Sequence, residues 1–444
     1  MKLYYIGMDV HSDNCTFCAG DANGNELRTG EVKTSMEGFR EMIGKVKAKV
    51  KSEEPRLVVG MESGNQSFQA VMMLRKLGVE AHIYHAKEVR DKANNKRQKN
   101  DKSDAKEIYQ GLWRGYYRQE VWVPSENELL VRNMASRFRG YVKTRASQIN
   151  RAKGLLRDWM LKEFSNTGLT TVTAWKKLIK KIEGISADKW SEMVIWELDK
   201  KEYIVEELKR CYQVWKAAHD GAQALEDELP EAIKKLSTDQ QKGIERVDKM
   251  FGVGFVSAVI FVLAIGDPKR FKNSSQVKKY FGFAPTENSS GGRRRKGKMD
   301  KQGNKHARVL AVELSEQAGR VSHPLHPLYM YIFHKKGNWQ IARSVVAAKM
   351  LQIIWRMLRD KEDFDPNKLN VKYVMMETLL PSGNTGLKMV AVKKRNLKRY
   401  LKEHNLSEDY VMDELDRALA KKRLAKMAGQ LGETDEPGNI QKEA

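Results

Sequence analysis

The sequence is poor in cysteine, with three residues in 444. That excludes a disulfide framework and fits a reducing compartment. It also lacks any run near the ~20 apolar residues a membrane-spanning helix requires. It opens directly on a strand-like segment, residues 3–9, with no signal-peptide pattern, so a cytoplasmic protein without a membrane partner is expected. Cys15 and Cys18 have CxxC spacing but fall in an extended run, where a three-residue step sends side chains to opposite faces. No second pair accompanies them, and zinc is set aside. Acidic charge is short as well: 57 acidic residues face 81 basic ones, for a formal charge of +24.

The basic excess makes a polyanion the expected partner. Basic residues recur along the whole chain rather than on one amphipathic segment, which favours phosphate backbones over a membrane surface. With 41% hydrophobic residues the chain can bury real cores. Its length points to two or three domains.

Apolar runs at 4–9, 15–19 and around 31–32 are separated by polar turns at 13–14 and 23–24, predicting a β-meander. A helix is expected over 36–50, a strand at 57–61, a helix near 68–77 and a strand at 80–84. Three antiparallel strands followed by alternating helices and strands is the order of an RNase H-like fold. Asp9 ends the first predicted strand and Glu62 the fourth, while Asp101 and Asp104, three apart, share one face at the start of a helix. Singly, each acid reads as a turn or cap residue. Together, beside the basic run Lys96, Arg97, Lys99 and Lys102, they form a quartet that would repel itself unless divalent cations, expected to be Mg²⁺, sat between. Paired metals stabilise both the attacking and leaving oxygens of a phosphodiester. The opening also resembles the phosphate-binding start of sugar kinases, but their later glycine-rich loops are missing and the charge is far too positive.

A linker at 122–124 and a capping-box pattern at 125–128 lead into a long helix. Val131, Ala135, Phe138, Val142, Ile149, Ala152, Leu156 and Trp159 form a heptad seam interrupted by Arg145. Around it lie Arg132, Arg137, Arg139, Lys143, Arg151, Lys153 and Arg157, with almost no acids. A second helix carries Ile204, Leu208, Cys211, Trp215, Ala218, Ala222, Leu225 and Leu229 at alternating steps of four and three. The pair reads either as a coiled-coil arm joining subunits into a dimer or tetramer, its first helix touching nucleic acid, or as an intramolecular hairpin. Cys211 is expected to pack in the seam.

Further on, Gly252 and Gly254 interrupt two apolar helical stretches. They resemble the hairpin of helix–hairpin–helix elements, whose amides grip phosphates, and equally a turn between core helices. Phe281-Gly282-Phe283-Ala284-Pro285 then leads to Ser289-Ser290-Gly291-Gly292, followed by Arg293, Arg294, Arg295, Lys296, Lys298, Lys301, Lys305 and Arg308. A serine in such a loop is suited to attack a phosphate whose developing charge the basic groups would stabilise, although serine–glycine loops also serve as plain turns. Residues 342–358 read as an amphipathic helix. His323, His326 and His334 lack metal-ligand spacing and are expected as polar surface or phosphate contacts.

The motifs Gly7-Met8-Asp9-Val10, Gly60-Met61-Glu62-Ser63, Asn100-Asp101-Lys102-Ser103-Asp104-Ala105, Phe281-Gly282-Phe283-Ala284-Pro285 and the run from Ser289 through Asn304, in this order over residues 3–360, resemble the DEDD transposases of insertion sequences. These are the IS one-ten family, kin to the Piv-type DNA invertases. The resemblance implies an α/β plus α architecture: a RuvC-like (RNase H-like) domain at 1–122 and a helical coiled-coil region at 123–245. A mainly helical transposase domain would follow at 246–360, and an appendage at 361–444. It implies metal at Asp9, Glu62, Asp101 and Asp104, and a nucleophile at Ser290, with Ser289 as the other candidate. Strand exchange would pass through a covalent phosphoserine, which conserves bond energy. Family members are understood to be guided by an element-encoded non-coding RNA, a second use for the basic helix. A bacterial or archaeal, nucleoid-associated setting follows. Two other readings stay open: a junction-resolving or RNase H-type nuclease that leaves Ser290 structural, and a non-catalytic RNA- or DNA-binding scaffold.

Overall fold

The computed structural model describes residues 2–366 apart from 51–53, 93–100, 119, 288–295, 302 and 321, with short pieces between 369 and 412. The chain divides into two compact units, Met1–Leu129 and Leu130–Ala444. No helix among the described residues is long and apolar enough to cross a membrane.

The first unit is built on β1 (Lys2–Val10), β2 (Asn14–Asp21), β3 (Glu26–Lys33), β4 (Pro55–Glu62) and β5 (Glu80–Tyr84). Between them run α1 (Met36–Lys47) and α2 (Ser67–Lys76), and after them α3 (Ala86–Lys92) and α4 (Asp101–Trp113). The strands lie in the order β3-β2-β1-β4-β5. β2 is antiparallel to both neighbours, while β1, β4 and β5 run parallel. This five-stranded mixed sheet is consistent with an RNase H-like arrangement.

Alternation along the strands decides which helices each face receives. Ile6, Met8, Cys15, Phe17, Val59, Met61 and Ile83 are buried with Phe39 and Met42 of α1 and Val71 and Leu74 of α2. Removing each such side chain from water contributes roughly 1.5–3 kcal/mol. The opposite face meets α4, where Cys18 packs with Ala105 and Tyr109. Cys15 and Cys18 therefore do point to opposite faces. The chain leaves this unit through a reciprocal capping box: Glu128 N–H donates to Ser125 Oγ (3.3 Å) and Ser125 N–H to Glu128 Oε2 (2.6 Å).

The second unit is helical apart from short strands. α5 (Glu126–Asp158) enters it and is followed by α6 (Lys162–Ser165), α7 (Val172–Glu183), α8 (Ala187–Met193) and α9 (Leu198–Ile233). α5 and α9 form an antiparallel hairpin. Val131 and Ala135 share a core with Leu229 and Ile233 at one end, and Ala152 and Leu156 join Ile204, Leu208, Cys211 and Trp215 at the other. Between them, a side chain at Gly221 would meet the Tyr141 ring at 2.8 Å. The far end is filled by Trp175 of α7 and Trp190 of α8. The buried seam residues are thus covered within one chain, and burial pushes the Cys211 thiol pKa up.

Beyond the hairpin come α10 (Thr238–Asp248), α11 (Phe255–Ile265), α12 (Ser274–Tyr280), β6 (Pro285–Glu287), β7 (Lys296–Met299), α13 (Lys305–Leu314), α14 (His326–Lys336) and α15 (Trp339–Asp360). Apolar on nearly every side, α11 sits inside the unit. The helix expected at 342–358 is α15, with Val346, Met350, Leu351, Ile354 and Trp355 buried in the same core. β8 (Tyr373–Leu379), β9 (Leu387–Lys393) and β10 (Val411–Met412) form a small antiparallel sheet, a feature the sequence pattern did not disclose.

Candidate active site

Two glycines set the geometry of the first unit's acidic cluster. Gly7 of β1 and Gly60 of β4 are register partners in the parallel pair. A Cβ on Gly7 would lie 2.2 Å from the Tyr109 backbone nitrogen and 2.3 Å from the Ala105 carbonyl oxygen. A Cβ on Gly60 would lie 2.7 Å from a Leu112 methyl carbon. Only a bare backbone at these points lets α4 lie so close to the sheet. The next residue on the same face of each strand is an acid, Asp9 in β1 and Glu62 in β4. α4 brings its own first turn, with Asp101 and Asp104, to the end of β1.

His11 joins this group. Its Nε2 stands 3.2 Å from Asp9 Oδ2 and 3.7 Å from Asp101 Oδ1, and one ligand atom from each of the three residues lies within 4.8 Å of the others. The Asp9 carboxyl is held above its ordinary pKa first by burial. His11 opposes that shift, while the negative charges of Asp101 and Asp104 add to it. The charges of Asp101 and Asp104 thus bear on the Asp9 carboxyl. Glu62 ends β4 beside Arg90, whose Nη2 is 3.7 Å from its Oε1. A half-buried Asp9 carboxylate with the charges of Asp101 and Asp104 beside it, and an imidazole among them, suits a divalent cation. His11 was missed as a site residue from sequence. The available signal was its i+2 position after Asp9, which keeps the two side chains on one side of the extended chain. Lys96, Arg97 and Lys99 lie outside the described residues.

In the second unit β6 and β7 pair antiparallel, Pro285 with Met299 and Glu287 with Lys296, and carry residues 288–295 between them. Ser289, Ser290, Arg293, Arg294 and Arg295 lie outside the described residues. After the hairpin, Asn304 caps α13 by accepting from the Ala307 N–H at 3.0 Å. Lys298, Lys301 and Lys305 are exposed, and Lys296 falls in β7. Arg308 does not join them on the surface. It is 8% exposed, and its Nη1 donates to the Phe281 carbonyl at 3.1 Å, so the guanidinium is committed to the fold.

Gly252 adopts φ +77°, a left-handed turn between α10 and α11, and Gly254 caps α11 in an extended conformation. The surface reading of the histidines is corrected. His323 and His326 are 1% and 3% exposed. His323 Nδ1 accepts from the Leu325 N–H, His326 Nδ1 bonds the Ala318 carbonyl, and burial drives the His323 pKa down to about 4. Their apolar surroundings, with the Phe251 ring edge-on to His323, made a buried pair the better packing solution. The His334 side chain lies outside the described residues. On α5, Arg137, Lys143, Arg151 and Arg157 are exposed, Arg145 and Lys153 half-buried, and Arg139 is paired with Glu313 at 2.6 Å.

Two family models match the chain. One, described as a transposase of the DEDD type, covers residues 6–160, and the other, described as "Transposase IS116/IS110/IS902 family", covers 244–329. The chain is 24% identical over 370 residues to the "Transposase for insertion sequence element IS1111A" of Coxiella burnetii, spanning 81% of this chain and 90% of that protein. A shorter match, 26% identical over 96 residues, joins 21% of this chain to 28% of the "Probable family 20 transposase" of Pseudomonas aeruginosa.

Proposed function

Since the chain belongs to the IS110 family of insertion-sequence transposases, we propose that it cuts and rejoins DNA strands with a carboxylate metal centre and a serine nucleophile. The carrying observation is the approach of Asp101 and Asp104 on α4 to the half-buried Asp9 of β1, a cluster whose mutual repulsion a cation would relieve. Asp9, Glu62, Asp101 and Asp104 would hold Mg²⁺. When bound, the ion would stabilise charge on the attacking and leaving oxygens of a phosphodiester.

Ser290 Oγ attacks the phosphorus, a phosphoserine ester forms, and a DNA hydroxyl departs. Attack by a second DNA hydroxyl on that ester frees the serine and joins the new strand. Lys298, Lys301 and Lys305, exposed and following residues 288–295 in sequence, draw in phosphate backbone. Arg137, Lys143, Arg151 and Arg157 on α5 offer a basic face for DNA or for a guide RNA. The turn at Gly252 and Gly254 adds a phosphate contact. The working parts are a RuvC-like domain at 1–122, the arm at 123–245, a transposase domain at 246–360 and an appendage at 361–444, assembled as a dimer or tetramer.

The test is a covalent adduct. Full-length protein with its copurified nucleic acid is incubated with element-junction DNA and Mg²⁺, then denatured and resolved. An adduct seen in the wild type but not in Ser290→Ala supports the reading. Retention in Ser290→Ala moves the nucleophile to Ser289. Nicks without an adduct replace the mechanism by hydrolysis through the carboxylates.

A further inference from the structure

The proposed chemistry gives His11 no task, yet the fold delivers it to the metal centre. It follows Asp9 by two residues, and its ring projects beyond the strand end with 57% of the side chain exposed. Its Nε2 lies 3.2 Å from an Asp9 oxygen and 3.7 Å from an Asp101 oxygen. Two donors bound to one ion at about 2.1 Å stand roughly 3 Å apart at right angles and about 4.2 Å apart when opposite. Both His11 separations fall within that span, and the Asp9–Asp101 pair lies within 4.8 Å, so side-chain adjustment alone, without rebuilding the backbone, would bring all three donors onto one ion.

The geometry points to His11 Nε2 as a nitrogen ligand to the ion held by Asp9 and Asp101, which makes the centre select a first-row transition ion such as Mn²⁺ over Mg²⁺. This rests on the reading of the cluster as a metal centre and refines which ion it takes. Mg²⁺ prefers hard oxygen donors and gives up water reluctantly. First-row ions accept imidazole nitrogen more readily, so replacing one oxygen or water by His11 raises their affinity more than that of Mg²⁺. An Asp9–His11 ion pair with no ligand role is the alternative, and it would leave the ion preference untouched.

The full-length chain is titrated calorimetrically with Mn²⁺ and, separately, with Mg²⁺, both at about pH 8 because metal binding is pH-dependent. Pulsed electron paramagnetic resonance of the Mn²⁺-loaded protein reports any ¹⁴N coupling directly, in the wild type and in His11→Gln. Tighter binding of Mn²⁺ than of Mg²⁺ and an imidazole ¹⁴N coupling are expected in the wild type. His11→Gln loses the coupling and weakens Mn²⁺ by roughly tenfold or more, while Mg²⁺ affinity moves by less than about threefold. Absence of ¹⁴N coupling in the wild type, or equal Mn²⁺ affinity in both proteins, overturns the ligand role and leaves the carboxylate centre standing. Failure of the wild type to bind either ion overturns the metal-centre reading and the His11 role with it.

Discussion

Gly7 of β1 and Gly60 of β4 are partners in the parallel register, and each leaves vacant the space that α4 fills. At Gly7 the neighbours are backbone atoms of Ala105 and Tyr109, which cannot swing aside as a side-chain tip could. Packing here sets chemistry: how closely α4 lies against the sheet also governs how near Asp101 comes to Asp9.

Gly7→Ala is therefore expected to lift α4, with a stability loss of about 3 kcal/mol or more. The metal-dependent rise in melting temperature should shrink as well, because Asp101 and Asp104 move off Asp9. Thermal melts with and without Mn²⁺ measure both effects. A variant that melts like the wild type and keeps its metal response would contradict the close approach.

The α/β unit was legible because its signals were local. Strand alternation separated Cys15 from Cys18, and the strand-end positions of Asp9 and Glu62 needed no distant contact to interpret. What escaped were features decided by packing. His323 and His326 look polar in sequence but are absorbed by a core that satisfies one nitrogen of each ring through backbone. Heptad spacing in α5 and α9 is the same for a subunit interface and for an antiparallel hairpin, and the pairing within the chain shows only in three dimensions, where Val131 shares a core with Leu229, Leu156 with Ile204, and Gly221 lies against Tyr141. His11 was hidden for another reason: its significance depends on Asp101, ninety positions away.

Arg308 and Lys305 sit on one helix three residues apart and should behave oppositely. Arg308 is enclosed and hydrogen-bonded to the Phe281 carbonyl, so Arg308→Ala leaves a buried acceptor unpaired and costs about 1.5–3 kcal/mol. Lys305 is exposed at the start of α13. Lys305→Ala should leave the melting temperature unchanged while weakening DNA binding and reducing the slope of log K against log salt by roughly 1. Melting curves and a salt series of DNA-binding isotherms distinguish the two roles. A stable Arg308→Ala variant with a reduced salt slope would return that guanidinium to the nucleic-acid surface.

At the edge of the first unit's sheet, His82 fastens the departing chain. Its Nδ1 is 2.7 Å from Glu120 Oε1 and its Nε2 is 3.1 Å from Glu80 Oε1, while the Val121 N–H donates to the Ile83 carbonyl at 2.7 Å. The hydrogen bond to Glu120 is the largest influence raising the His82 pKa above its ordinary 6.5; burial opposes it and Glu80 assists. A raised folded pKa means that the stabilisation is complete below the unfolded value and is lost as pH rises through the folded one. Protection of the Val121 amide against hydrogen exchange, corrected for the intrinsic rate, should therefore decline as pH climbs above about 6.5. His82→Gln should show little pH dependence over the same window. The partners are partly exposed, so the whole effect should not exceed about 1 kcal/mol. Unchanged protection through that window in the wild type would mean that the clasp does not depend on the imidazolium charge.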